Sequence, residues 1–134
     1  STDNNLFIYQ SESEHSEYGS DTIHYTDGST YIGEIKNEVP HGEGVFNGPD
    51  GHRYEGNFLN GLFHGHGTLE FPEGVIFVGN WQYDEIKGYG YYLFNDGTKL
   101  EGYWLDGLNC ENATWIYPDG ENIEVTIIDG EILY

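Results

Sequence analysis

A chain of 134 residues has room for one domain of ordinary size. Its 24 Asp and Glu against 4 Lys and Arg give a formal charge of −20. That disfavours binding to a nucleic-acid backbone or docking on anionic lipid, because a polyanion repels phosphates and cannot release their counterions.

In chain order, residues 1–17 form an acidic, Ser-rich segment with room for a first strand, and 18–134 form a repeat domain. The chain contains 20 Gly, 12 Tyr, 7 Phe and 3 Trp, and their spacing is regular. From Tyr31, steps of 23 land on Tyr54, Phe77, Leu100 and Ile123, and one step back lands on Ile8. Two residues further along stand Gly33, Gly56, Gly79 and Gly102, then Val125. Four along stand Ile35, Phe58, Trp81, Trp104 and Ile127. His41-Gly42-Glu43-Gly44, His64-Gly65-His66-Gly67 and Lys87-Gly88-Tyr89-Gly90 repeat later in the unit and decay to Cys110-Glu111-Asn112-Ala113. Composition bias would scatter these residues, so the chain is a true repeat, with a degenerate unit near Ile8 and a capping hairpin from Ile123.

The period converts into structure. Asp27-Gly28, Asp50-Gly51, Asp96-Gly97 and Asp119-Gly120 are hairpin signals, because both residue types tolerate positive φ. Asn60-Gly61, Asp106-Gly107 and Asp129-Gly130 mark a second turn midway. Two turns per unit leave one strand of about 8 residues and one of about 11, necessarily antiparallel. The predicted fold is all-β: an elongated, single-layer antiparallel β-meander built from 23-residue hairpin repeats, without helices. Alternation puts rings and glycines on one face, so that a ring lies over a neighbouring strand's bare backbone. These rings are packing residues first and binding residues second.

The stretch Tyr54-Glu55-Gly56-Asn57-Phe58-Leu59-Asn60-Gly61-Leu62-Phe63-His64-Gly65-His66-Gly67 resembles the MORN repeat (membrane occupation and recognition nexus), Tyr-x-Gly-x-Trp-x-x-Gly-x-x-His-Gly-x-Gly. Similar stretches begin at Tyr31, Phe77 and Leu100, with Glu38 and Asp84 in place of the mid-unit Gly and Lys87 and Cys110 in place of His. The resemblance implies a twisted, curved, elongated sheet. It also implies roles such as those of cytoskeletal, axonemal and junctional scaffolds, or of appendages to lipid kinases and a methyltransferase. Groove binding of a partner peptide is one implied mode, and lipid association another.

Chemistry has little support in the residues. With 24 carboxylates, close pairs arise by chance, and no Gly-rich loop leads into a helix or a Lys-Ser/Thr pair. His64 and His66 at strand spacing share a face, yet His64 holds the repeat's turn position. The single Cys110 favours a reducing, intracellular compartment, and the resemblance implies association with cytoskeleton or membrane through a partner. No catalytic residue, metal or cofactor is expected. The expected function is a non-catalytic scaffold or adaptor, cytoplasmic, cytoskeletal or regulatory. Its aromatic groove, with an acidic rim, takes a basic or amphipathic protein segment. The groove candidates are Tyr31, Tyr54, Phe58, Phe77, Trp81, Tyr92, Trp104 and Trp115. A second apolar patch on the opposite face comprises Val78, Tyr89, Tyr91, Leu93, Tyr103, Leu105 and Ile116, to be covered by a partner, by self-association in a homodimer or by a chain end. Two alternatives stand beside this reading: a regulatory segment of a larger enzyme, a methyltransferase or lipid kinase, and a membrane-peripheral tether.

Overall fold

The computed structural model describes residues 7–8 and 18–134. Apart from Phe7 and Ile8, the acidic segment 1–17 lies outside the described residues. The described residues form one open antiparallel sheet of twelve strands in sequence order, with no helix. The strands are β1 Phe7–Ile8, β2 Tyr18–Tyr25, β3 Thr30–Lys36, β4 Val39–Asn47, β5 Arg53–Leu59 and β6 Leu62–Glu70. They continue as β7 Ile76–Gln82, β8 Glu85–Leu93, β9 Lys99–Asp106, β10 Asn109–Ile116, β11 Asn122–Ile128 and β12 Glu131–Leu133.

Two kinds of hairpin alternate. In the first three units the mid-unit turn has two residues, both with left-handed backbone: Asn37 and Glu38 (φ 53° and 70°), Asn60 and Gly61 (50° and 87°), Tyr83 and Asp84 (48° and 72°). This is the geometry that matches strand twist in two-residue hairpins. Glu38 and Asp84, which replace the repeat's Gly, adopt its conformation anyway. The left-handed cost, about 1 kcal/mol per non-Gly residue, is offset in the third unit by tertiary bonds. The Asp84 amide donates to the Phe63 carbonyl at 2.9 Å, and the Phe63 amide donates to the Asp84 carboxylate at 2.8 Å.

The Asp-Gly turns correct the sequence expectation. They are three-residue loops in which only Gly is left-handed, as at Gly28 (φ 98°). The Tyr25 amide donates to the Ser29 carbonyl at 3.0 Å and closes the loop. Asp27 serves instead as an acceptor for the Ser29 hydroxyl (2.6 Å) and amide (2.9 Å), and these bonds pull its carboxyl below the usual carboxylate range. Asp96 does the same for Thr98.

The turns dictate the strand order, and the ring-and-glycine register explains how the strands pack. Gly33 faces Gly44, Gly56 faces Gly67, and Gly79 faces Gly90. Over each pair lies the ring that opens the unit: Tyr31, Tyr54 or Phe77. A Cβ on Gly44 or Gly67 would run into the tyrosine ring above it. The Tyr54 hydroxyl then donates to the Asn57 carbonyl of its own strand at 2.9 Å. In the fourth unit the ring is replaced by Leu100, and the pattern shifts with it: Ala113 stands where Gly would, and the Cys110 sulfur fills the space over Gly102. Bulges at Gly42, Gly65 and Gly88 (φ 93°, 92° and 101°) break the register once per hairpin and increase local twist. The neighbouring rings close on one another, with Tyr54 stacked on Phe63 at 3.9 Å and Tyr31 edge-on to Phe58 at 4.9 Å.

Overpacking at such a site costs about 1–3 kcal/mol, so Gly67→Ala lowers the thermal midpoint by several degrees. In a Tyr54→Leu background, which copies the Leu100 and Ala113 pairing, the same change costs less, with coupling of at least about 0.5 kcal/mol in a double-mutant cycle of denaturant unfolding. Strict additivity would refute the ring-over-glycine reading.

Candidate docking face

Rings on this face divide into buried and accessible sets. Tyr31, Tyr54 and Phe77 are 0% exposed, and Phe58, Trp81 and Trp104 are 3–5% exposed. These six expected groove residues are core, a correction whose cause is the lean of each ring onto its neighbours; Trp81 and Trp104 add only a small area to the floors of surface hollows. The Trp81 indole N–H donates to the Gly67 carbonyl at 3.1 Å, and Trp104 donates to Gly90 at 3.0 Å. Each Trp thereby ties its repeat to the preceding one. Only Tyr92 and Trp115 of the eight stay half-buried at the surface.

Those two line a trough of about 490 Å³ in the C-terminal half, together with Phe71, Phe94, Leu108 and Ile132. Trp115 stacks on Phe94 at 5.7 Å, and Phe94 stacks on Tyr92 at 6.2 Å. The Tyr92 hydroxyl donates to the Gly107 carbonyl at 3.0 Å, and burial pushes its pKa up to about 12. Leu108, exposed on the turn before β10, bridges to a second hollow of about 610 Å³ floored by Leu69, Trp81 and Ile86. Four carboxylates, Asp84, Glu85, Asp106 and Asp129, edge this hollow. They come from turns of successive hairpins, so the topology stacks acids along one margin of an apolar floor. Leu108 and this acid set went unread in the sequence. The signal was there: Asp106 and Asp129 share a mid-unit turn position, and Leu108 follows the turn Gly.

The opposite face brings the second patch together in register. Val78 pairs with Tyr91, Tyr89 with Tyr103, and Leu93 with Lys99, which pairs in turn with Ile116. Leu105 lies further along β9 and is exposed. The Tyr89 and Tyr103 rings meet at 5.4 Å, and the Lys99 ammonium sits 4.5 Å over Tyr91. Tyr103 remains 74% exposed.

The remaining candidates are structural. The His64 imidazole accepts the Tyr83 amide at 3.2 Å and holds the next unit's turn; His41 does the same for Asn60 at 3.4 Å. The bulge at Gly65 interrupts the alternation that would put His64 and His66 on one face. Among the described residues no group of three or more His, Cys, Asp or Glu is gathered to hold a metal. Cys110 is buried, its thiol donates to the Tyr103 carbonyl at 3.2 Å, and burial raises its pKa.

The family model described as MORN repeat matches residues 31–53, 54–76 and 77–99, three consecutive units that end short of the decayed fourth. Among curated proteins none matches the chain significantly.

Two measurements follow from the burial of the rings. Trp81→Ala and Trp104→Ala each cost about 3–5 kcal/mol of unfolding free energy, read by denaturant titration, because they delete core rather than surface. The phenols of Tyr31, Tyr54 and Tyr92 all have pKa values raised by burial above the ordinary value near 10. The unfolded chain ionises first as pH rises, so their stabilisation is complete below about pH 10 and declines as pH climbs toward 12. Urea midpoints at pH 9 and pH 11 check this, and Tyr92→Phe flattens the fall.

Proposed function

This chain belongs to the MORN-repeat family, and from that premise we propose that it is a non-catalytic adaptor whose C-terminal trough binds a basic, amphipathic protein segment. Repeats of this kind are generally protein- or membrane-interaction modules. The observation that carries the reading is the juxtaposition of an apolar floor with a carboxylate margin. Phe94, Leu108 and Trp115 offer anchoring area, and Asp84, Glu85, Asp106 and Asp129 select Lys and Arg beside it. Apolar contacts supply the affinity, and the −20 charge steers a cationic partner and rejects an anionic one. An intracellular, cytoskeletal or regulatory setting accords with this chemistry.

The test compares the full chain with Leu108→Asp and Phe94→Ser. Proteins retained on the immobilised chain are purified and titrated directly by calorimetry at low and physiological salt. The expected result is a loss of about tenfold or more in affinity for both variants, and weaker binding at higher salt. Unchanged affinity in both variants, with loss on Tyr103→Ala instead, would move the site to the opposite face. In flotation, vesicles containing phosphatidylserine recover no more protein than phosphatidylcholine vesicles; enrichment on the anionic vesicles would favour the tether.

A further inference from the structure

The polar groups of the trough rings are accounted for unevenly. The Trp81 and Trp104 indoles each give their N–H to a glycine carbonyl, and the Tyr92 hydroxyl donates to Gly107. The Trp115 indole N–H has no hydrogen-bond partner among the described residues, although its ring is half-buried in an apolar lining. Gly130 holds the place of Gly107 one unit on and lines the same trough, so the turn that takes this bond elsewhere is present. Leu69 and Tyr92, flanked by strands on both sides, are half-buried like Trp115. The accessible row therefore belongs to the repeat and not to the margin of the sheet.

That row runs across the strands. Phe71 stacks on Tyr92 at 6.5 Å, and the stacking continues through Phe94 to Trp115. Phe71 and Phe94 hold one place in successive units, and Tyr92 and Trp115 hold another. Each unit contributes two strands, so equivalent rings recur about every 9.5 Å. A polyproline II segment lying across the strands turns the same side to the sheet every third residue, about 9.3 Å. Two turns of α-helix advance about 10.8 Å, so spacing alone leaves both conformers open. The indole decides between them. Helix carbonyls are spent on the helix's own amides, whereas a polyproline II backbone has no internal hydrogen bonds and keeps its carbonyls free to accept.

We infer that the trough takes a proline-rich segment in the polyproline II conformation, with a basic flank. This rests on the docking role proposed for the same trough and names its occupant. Prolines three positions apart pack on successive ring pairs, Phe71 with Tyr92 and Phe94 with Trp115, and a backbone carbonyl beside the second pair accepts the Trp115 N–H. Beyond Leu108, the carboxylates of Asp84, Glu85, Asp106 and Asp129 receive Lys or Arg of the flank. A polyproline II segment is formed before it docks and loses little entropy on binding, which suits a shallow surface paved with rings.

The probe is the fluorescent peptide Pro-Leu-Pro-Pro-Leu-Pro-Pro-Arg-Lys-Arg, titrated into the full chain by anisotropy. A control peptide exchanges every Pro for Ala, which keeps the charge and favours helix. The expected result is saturable binding, at least about tenfold tighter for the proline peptide. Trp115→Phe, which keeps a ring and deletes the N–H, weakens it by at least about threefold. In heteronuclear NMR spectra the indole N–H signal of Trp115 moves downfield further than those of Trp81 and Trp104. Equal or tighter binding of the alanine peptide, lost in Phe94→Ser, overturns the inference and leaves the trough as a docking site for a helix. Failure of the proline peptide to bind, while partners retained on the immobilised chain still lose affinity in Phe94→Ser, overturns it in the same way. Indifference of peptides and partners alike to Phe94→Ser and Leu108→Asp removes both this inference and the docking role beneath it.

Discussion

A ring laid across a pair of facing glycines is the contact on which the rest of the structure depends. A single-layer sheet has no second layer to bury its apolar face. This chain solves that problem within the sheet. Wherever two glycines oppose each other, the backbone is bare on one face, and the ring that opens the unit lies down on it. Once lying down, rings in adjacent units reach each other, and the face becomes a core one side chain deep. The tryptophans bond each unit to the preceding one through a glycine carbonyl, which turns a series of hairpins into one body.

From Tyr31 to Leu100 every opening residue is buried, while the second-strand residues Phe46, Leu69, Tyr92 and Trp115 stay half-buried. Toward the C-terminal half Tyr92, Phe94 and Trp115 stack in a row and line the trough. The acids follow from the same periodicity. A turn that recurs every unit places successive carboxylates at one margin, where their mutual repulsion is relieved by solvent.

Much of this was legible in the sequence, for definite reasons. The period was readable because glycines at fixed offsets mark both turns and close backbone approach, and it determines strand order, since consecutive tight turns leave no other topology. The opposite-face set around Tyr89 and Tyr103 was legible from alternation alone. The burial of Trp81 and Trp104 was not, because alternation tells which face a residue occupies but not whether its neighbours lean over it. The role of Asp27 was hidden for a similar reason: an Asp-Gly pair suits a two-residue loop and a three-residue loop equally, and the backbone bond from Tyr25 to Ser29 decides between them. Leu108 and the acid margin join residues of different hairpins, which no local pattern brings together.

The most direct measurement of the central claim is the proton chemical shift of the glycine Hα atoms in solution. Gly44 and Gly67 lie beneath the Tyr31 and Tyr54 rings, and Gly102 lies beneath a sulfur atom. Ring currents should move the Hα resonances of Gly44 and Gly67 strongly upfield and leave those of Gly102 near their ordinary position. Ordinary shifts at all three glycines would contradict the account.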